Sequence, residues 1–333
     1  MLVTGGSGFI GTNLMEDLLS GGISVVNLDH RPPLDESQTP YWREVDIMDQ
    51  KELLRAFQSV QPTHVVHLAA RTDLSEKSNI SGYGANIGGV ENLLNAINAT
   101  ASIRRVLIAS SMLVCRLGHV PTHSLDYQPD TLYGESKVLT EKITAAGKLS
   151  CTWSIVRPTT IWGPWHMRLV KEFFKTIERG YYFHPGRKDC LRTYGFVGNT
   201  VHQIRRLLDA PAEQVNGNIF YLGDPPIRLR DFANGFSQIL RGRNAMTLPY
   251  LLLRAAALFG DATAALGFTS FPLTSRRLGN MTTDNVIDLT PTFAVTGPPK
   301  YTLEQGIEMT VQRLPQMKQA TARWMKLHIE QKK

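Results

Sequence analysis

Thr4-Gly5-Gly6-Ser7-Gly8-Phe9-Ile10-Gly11 is the stretch on which the reading of the fold turns. It follows a short apolar run, Leu2-Val3, and opens a segment in which Ile10, Leu14 and Leu18 recur every four residues. The order is therefore strand, glycine turn, helix. Gly5, Gly8 and Gly11 give the spacing GxxGxxG, a variant of the dinucleotide-binding fingerprint. Glycine suits that chemistry because a Cβ would block the approach of a pyrophosphate to the free N–H groups at the positive end of the helix. A glycine triplet alone can serve any tight turn; its place between a strand and a helix makes it a binding turn.

The pattern continues downstream. Ile23 to Leu28, His64 to Ala69, Val106 to Ala109 and Trp153 to Val156 are apolar, β-branched runs. Helix-period segments separate them, Leu93 and Ile97 marking one. Strands apolar on both faces and separated by helices form a parallel sheet covered on both sides. The fold class is α/β, a doubly wound parallel (Rossmann) sheet with a smaller C-terminal substrate lobe. The pattern changes after Pro164. A helix is expected over Met167 to Arg179, then the basic segment HPGRKDCLRTYGFVGN, a helix over Thr200 to Leu208 and a strand over Asn218 to Leu222. Helices near Leu229 to Leu240 and Leu303 to Leu314 follow. The division is residues 1–165, completed by 192–223, for the dinucleotide; 166–191 and 224–320 for the substrate lobe; and 321–333 as a basic tail, frayed over KLHIEQKK.

Composition narrows the class. Of 333 residues, 42% are apolar and 20% charged, which excludes disorder, collagen and coiled coil. Lys and Arg number 36 against 29 acids, a net charge of +7 that suits a phosphorylated ligand. No nucleic-acid motif accompanies it. Three cysteines, Cys115, Cys151 and Cys190, lack metal spacing and point to a reducing, cytoplasmic setting. The chain opens directly into its first strand, with no targeting segment ahead of it. The most apolar stretch, Met246 to Gly267, contains Arg254 and Asp261, whereas a spanning helix needs about 20 largely uncharged residues. It is expected to be a buried or amphipathic helix pair, with peripheral membrane contact as the alternative.

Asp29 ends the second strand, 21 residues after Gly8, close to the separation of about 20 at which a ribose-binding acid stands. A carboxylate there accepts from the ribose hydroxyls and repels a 2′-phosphate, favouring NAD; His30 and Arg31 leave NADP open. Asp46 and Ile47 are placed against the adenine edge or, equally, at the cap of the helix starting near Asp49.

Tyr133-Gly134-Glu135-Ser136-Lys137 forms a YxxxK motif, with Ser110-Ser111 upstream at a strand end. Tyr133 and Lys137 share one helix face, a turn apart. An ammonium there favours the phenolate of a phenol whose ordinary pKa is about 10. Together with TGGSGFIG, HLAA (His67 to Ala70), Asn86 and RPTTIWGP (Arg157 to Pro164), this resembles the extended short-chain dehydrogenase/reductases. Within them it is most similar to the NAD-dependent epimerase/dehydratase family that acts on nucleotide sugars. The resemblance implies Ser111, Tyr133 and Lys137 as catalytic. Val114 selects Ser111 over Ser110, because the family's active Ser or Thr lies three residues before a valine. It implies Gly5, Gly8, Phe9, Ile10, Gly11, Asp29, Asp46, Ile47, Leu68, Ala69, Ala70, Asn86, Tyr133, Lys137 and Pro158 around the cofactor, and Ser111, Thr160 and Arg192 around the substrate. Arg192, heading LRTYGFVGN, would grip a sugar-nucleotide diphosphate. A homodimer through two helices is also implied, with Gly88 to Asn98 and Gly134 to Ala146 as the candidates, although their apolar stripes could equally face the sheet.

Departures narrow the chemistry. Met112 and Leu113 stand where family dehydratases and decarboxylases carry an acid, so water loss is discounted. Cys115 and Trp162 replace tyrosines, and Asn199 stands for an aspartate, with a helix cap as its expected role. His166 is read as a packing histidine rather than a second proton shuttle; Arg276 and Arg277 are unanchored candidates for a second cation. The leading expectation is a 4-epimerase passing through a transient keto-sugar. Three alternatives stand beside it: a keto-sugar reductase or dehydrogenase, a 3β-hydroxysteroid dehydrogenase-like enzyme suggested by LDHRPP, Asn199 and Met246–Gly267, and a non-catalytic dinucleotide sensor.

Overall fold

The computed structural model describes residues 1–186, 189–267, 271 and 273–330. Its centre is a seven-stranded sheet of β1 (Leu2–Thr4), β2 (Val26–Asp29), β3 (Trp42–Glu44), β4 (His64–His67), β5 (Arg105–Ala109), β6 (Thr152–Pro158) and β7 (Asn218–Leu222). The spatial order is β7-β6-β5-β4-β1-β2-β3, and every pairing is parallel. Strand order reverses at β1, which pairs with β2 on one side and β4 on the other; a ligand crevice opens at the strand ends beside such a reversal.

Period-two alternation explains why these strands are apolar throughout. Leu2, Val65, Val106 and Ile108 bury into one face with Leu53 and Phe57 of α2 (Gln50–Val60) and Val90, Leu93 and Ile97 of α3 (Gly84–Asn98). Val3, Val66, Leu107 and Val156 bury into the other with Leu14 and Leu18 of α1 (Phe9–Ser20). That face also takes Val201, Ile204 and Leu207 of α5 (Val197–Asp209). Between α3 and α5 in the chain, α4 (Leu132–Ala146) packs beside α3.

The lobe is built from shorter pieces. Residues 167–178 are helical, starting at Met167 as expected, with a wide π-type stretch over Leu169–Phe174 inside the helix. Leu191–Arg192 pairs antiparallel with Ile227–Arg228, and Tyr194–Phe196 pairs with Thr160–Trp162. Helix α6 (Leu229–Arg241) buries Phe232 and Phe236 against Trp162 and Phe174. Further on come α7 (Tyr250–Ala265), α8 (Leu303–Gln312) and α9 (Leu314–Glu330).

Three expectations need correction, and one strand has to be added. Residues 23–25 precede β2 as coil, and the edge strand β3, with two exposed residues of three, carries no apolar signal. The stretch Met246 to Gly267 is a three-residue strand, Met246–Leu248, paired with Phe183–Pro185, followed by one helix rather than two. The tail KLHIEQKK, expected to fray, continues α9 through Glu330, while residues 331–333 lie outside the described residues; Met317 and Ala320 anchor that helix against Phe174 and Ile177 in the lobe core.

Candidate active site

The glycine turn is shaped by backbone contact. Gly5 has φ +75°, and a Cβ there would lie 2.7 Å from Ala69 Cα, where β4 leaves the sheet. A Cβ on Gly11 would lie 2.6 Å from Gly6 Cα, so α1 departs hard against the turn that starts it. Gly8 is the exposed residue of the turn and caps α1 without a side-chain bond. The first-turn N–H groups therefore open onto the crevice, the arrangement that holds a pyrophosphate. Asp29 faces this turn: Ser7 N donates to its Oδ2 (3.2 Å) and Arg31 N to its Oδ1 (3.0 Å). Burial raises its carboxyl above the usual range, with these bonds and His30 pulling it back.

Beyond the turn, Leu68 N donates to the Thr4 carbonyl (2.9 Å), and half-buried Leu68, Ala69 and Ala70 border the glycines. Phe9 sets its ring edge-on to His166, centroids 4.5 Å apart, and Ile10 packs on the α1 side of the sheet. Pro158 ends β6 in register with Leu222.

At the end of β5, Ser111 Oγ accepts from Leu113 N (3.1 Å) and so holds a short helical turn. Thr131 caps α4 by accepting from Gly134 N (3.0 Å), which brings Tyr133 into the first turn. Tyr133 is buried; burial pushes its phenol up to about 12, while a hydrogen bond with Ser111 draws it down. One turn on, Lys137 Nζ donates to the Ala109 carbonyl (2.9 Å). Burial pushes this ammonium down to about 8, and Glu141 a further turn on opposes the shift. The three groups meet where β5 ends.

Beneath them lies a buried polar network. Arg157 bonds Glu141 through two nitrogens (2.8 and 2.7 Å), donates to Tyr221 Oη (3.0 Å) and holds the Ser124 carbonyl (2.6 Å). Tyr127 Oη donates to the same carboxylate (2.9 Å). Arg157 thereby ties the chain around residue 124 to both β6 and α4. His67, at the end of β4, shares a hydrogen bond with Thr4 Oγ1 (2.6 Å). Burial, reinforced by the Lys137 charge, pushes its imidazole down to about 3; among the described residues its Nε2 has no partner.

A family model described as NAD dependent epimerase/dehydratase family matches residues 1–223. The chain belongs to this family. It is 26% identical to an Escherichia coli O157:H7 protein named N-acetyl-alpha-D-glucosaminyl-diphospho-ditrans,octacis-undecaprenol 4-epimerase, with 94% of each chain covered. It is 29% identical to a Mycobacterium tuberculosis 3 beta-hydroxysteroid dehydrogenase/Delta 5-->4-isomerase, over 70% of this chain and 67% of that one. In fold it is similar to the Thermus thermophilus UDP-glucose 4-epimerase solved with NAD, with a TM-score of 0.69, 22% identity, and 94% and 98% of the two chains covered.

As a member of the NAD dependent epimerase/dehydratase family the chain is an enzyme, and NAD is its cofactor. The glycine cradle, the outward Gly8 and Asp29 fit that group. Other residues expected around the cofactor make the following contacts within the chain. Ile47 is a core residue packed with α2 and α3, and Asp46 Oδ1 accepts from Met48 N (2.9 Å). Asn86 spends its amide lacing Arg71 to Ser136 and so shapes the cleft wall.

On the substrate side, exposed Thr160 sets its hydroxyl 3.8 Å from Met112 Sδ, next to Ser111 in sequence. Arg192 is buried over the Tyr194 ring, its Nη1 donating to the carbonyls of Asn280 (3.2 Å) and Thr283 (3.1 Å). Its Nε has no partner among the described residues. Arg277 instead pairs with Glu172. Trp162 lies in the aromatic core against Phe196, Phe232 and Phe236. His166 accepts from Leu169 N (3.1 Å), and burial pushes it down to about 4, as suits a packing residue.

Asn199 is not a cap. Phe196 precedes α5, and Asn199 donates to Asp224 and to the Tyr301 carbonyl (both 2.9 Å). Sequence reading missed Glu141 and Asp224. Glu141 could have been found four residues beyond Lys137 on the same helix face; Asp224, which accepts from Phe196 N (2.6 Å), gave no local signal.

Proposed function

We propose that this chain is an NAD-dependent 4-epimerase of diphosphate-linked sugars, with nucleotide sugars the first class to test. The observation that carries the reading is the placing of Tyr133, Ser111 and Lys137 at the β5 end of a crevice built for a dinucleotide. Gly8 and the α1 N-terminus would hold the pyrophosphate, Asp29 the adenosine ribose, and Lys137 the nicotinamide ribose. NAD when bound supplies a hydride acceptor and, in its oxidised form, a positive charge near the phenol.

Tyr133 takes the proton of the reacting sugar hydroxyl as that carbon becomes a carbonyl. Lys137 favours the phenolate, and Ser111 donates to the substrate oxygen as charge develops on it. In the return half-reaction Tyr133 gives the proton back. Arg192, with Nε still unpartnered, is the diphosphate contact, and Thr160 borders the sugar. Met112 and Leu113 offer no carboxylate, which supports epimerisation over dehydration.

The epimerase named above covers 94% of this chain against 70% for the steroid dehydrogenase, which supports a sugar substrate over a sterol. Three free thiols support a cytoplasmic enzyme, and the side-by-side packing of α3 and α4 supports a homodimer built on that pair. Sedimentation equilibrium tests the dimer.

The decisive assay is NMR of nucleotide sugars incubated with purified enzyme, with mass spectrometry of small molecules released from it. Interconversion of C4 epimers with retained NAD and no net reduced nicotinamide is expected. Net nicotinamide reduction on a sugar would indicate a dehydrogenase; oxidation of a hydroxysteroid would indicate the sterol reading. Bound NAD with no turnover of any sugar or sterol would restore the sensor.

A further inference from the structure

Helix α7 is apolar on the side that faces away from the protein. Leu253, Ala257 and Gly260 are buried, packed with Leu278, Phe183 and Leu248. At about 3.6 residues per turn the opposite face carries Leu251, Ala255, Leu258, Ala262 and Ala265, flanked by Leu252, Phe259 and Leu266. The five large side chains among these are 57–75% exposed. An ordinary surface helix is polar there.

The exposed charged residues of α7 and of the short helix beside it are arginines. Arg254 is exposed on its flank, and Arg276 is exposed on the short helix Ser275–Asn280 that packs against α7. The single acid of the helix, Asp261, is turned inward to accept from Ser275 N (3.1 Å). An apolar stripe edged by arginines complements an anionic lipid surface, into which such a helix sinks roughly 5–10 Å. The same short helix connects to the site: the carbonyls of Asn280 and Thr283, at and just beyond its end, hold Arg192 Nη1.

We propose that the outward face of α7 docks this enzyme on an anionic bilayer, with the residue proposed to grip the diphosphate held on the same module. A sugar diphosphate carried on a membrane lipid is then the substrate class that such seating serves. Docking stands on α7 alone; only the substrate class rests on the epimerase reading.

The test is co-sedimentation of the full chain with vesicles of phosphatidylglycerol and phosphatidylcholine, and with phosphatidylcholine alone. The wild type is expected to sediment with the anionic vesicles. Leu251→Glu/Leu258→Glu is expected to weaken binding at least about tenfold. Arg254→Gln and Arg276→Gln should each weaken it about fivefold at low salt. Both leucines are exposed, so circular dichroism and turnover of a soluble nucleotide sugar should be unchanged. A wild type left in the supernatant, or a double-glutamate variant that sediments equally well, overturns the docking. So does a wild-type dimer that the same variant splits without any vesicle binding, since a second copy then covers the stripe. Vesicle binding with no epimerisation of any sugar diphosphate would leave the docking standing and overturn the reaction.

Discussion

Along β5, Val106, Leu107 and Ile108 are fully buried and divide between the clusters on the two faces of the sheet; along α7, Leu251, Leu252 and Leu258 point outward. The same residue types have opposite fates. In the sheet they are fixed by neighbours on both sides, so groups at the strand ends are held rigidly enough for proton transfer. In the lobe they are left for something outside the chain. Chemistry and recognition are thus separated, and substitutions should sort accordingly.

The largest effect should come from the sheet edge. Tyr133→Phe is expected to lower kcat by about 10²–10⁴, the range for losing a general base, with NAD still bound by mass spectrometry. An unchanged kcat would remove the sheet from the chemistry. Lys137 links this to pH. Its ammonium is held at about 8, so kcat/KM should fall above that pH as the charge beside the phenol is lost. Lys137→Arg, charged throughout, should lose that alkaline limb. The folded-state pKa lies below the unfolded one, so the wild type should also gain stability from this group as pH rises from about 8 to 10.5.

Next comes the network under the site. Glu141→Ala leaves the Arg157 charge buried without its carboxylate and should cost about 3–5 kcal/mol, read by urea unfolding. A cost below about 1 kcal/mol would mean that the pair is not sealed from water. Gly11→Ala should destabilise by about 1–3 kcal/mol, because backbone must move to admit the methyl group. Its NAD affinity should fall as well; full affinity would show that the turn can yield.

At the junction of sheet and lobe, Asp224 is expected to matter less. Both its neighbours, Phe196 N and Asn199 Nδ2, are donors, so Asp224→Asn turns an amide N–H₂ toward one of them and should cost about 1–3 kcal/mol. Burial raises this carboxyl to about 7, above its unfolded value of 3.8. Wild-type stability should therefore fall as pH rises between those values, a slope absent in the variant. The smallest effect should lie in the lobe: Thr302→Ala removes the capping box of α8 and should cost about 1 kcal/mol by the same measurement.

The same contrast governs how much could be read in the sequence. Strand cores were legible because burial on both faces leaves apolar runs such as Val106 to Ala109, and the glycine turn because backbone contact at Gly5 and Gly11 excludes other residues. Tyr133 and Lys137 were legible through their spacing on one helix, and Ser111 through the family resemblance that places it three residues before Val114. Glu141 with Arg157 was not, since a pair 16 residues apart meets only after β6 has docked beside α4. Asn199 was misassigned as a cap because its partners, Asp224 and Tyr301, are 25 and 102 residues away. The outward face of α7 stayed open between core packing and membrane contact for a different reason. Hydrophobicity says that a stripe is buried in something, and the chain alone does not say whether that something is protein.

Tyr133, Lys137 and Glu141 occupy successive turns of one helix, about 6 Å apart at roughly 1.5 Å per residue. They form a graduated rod: any slide of α4 along its axis carries all three together and keeps their mutual spacing. Substitutions beneath the rod, on the α3 side, can then shift the whole assembly relative to the strand tips, giving selection a way to adjust reach without rebuilding the reacting groups.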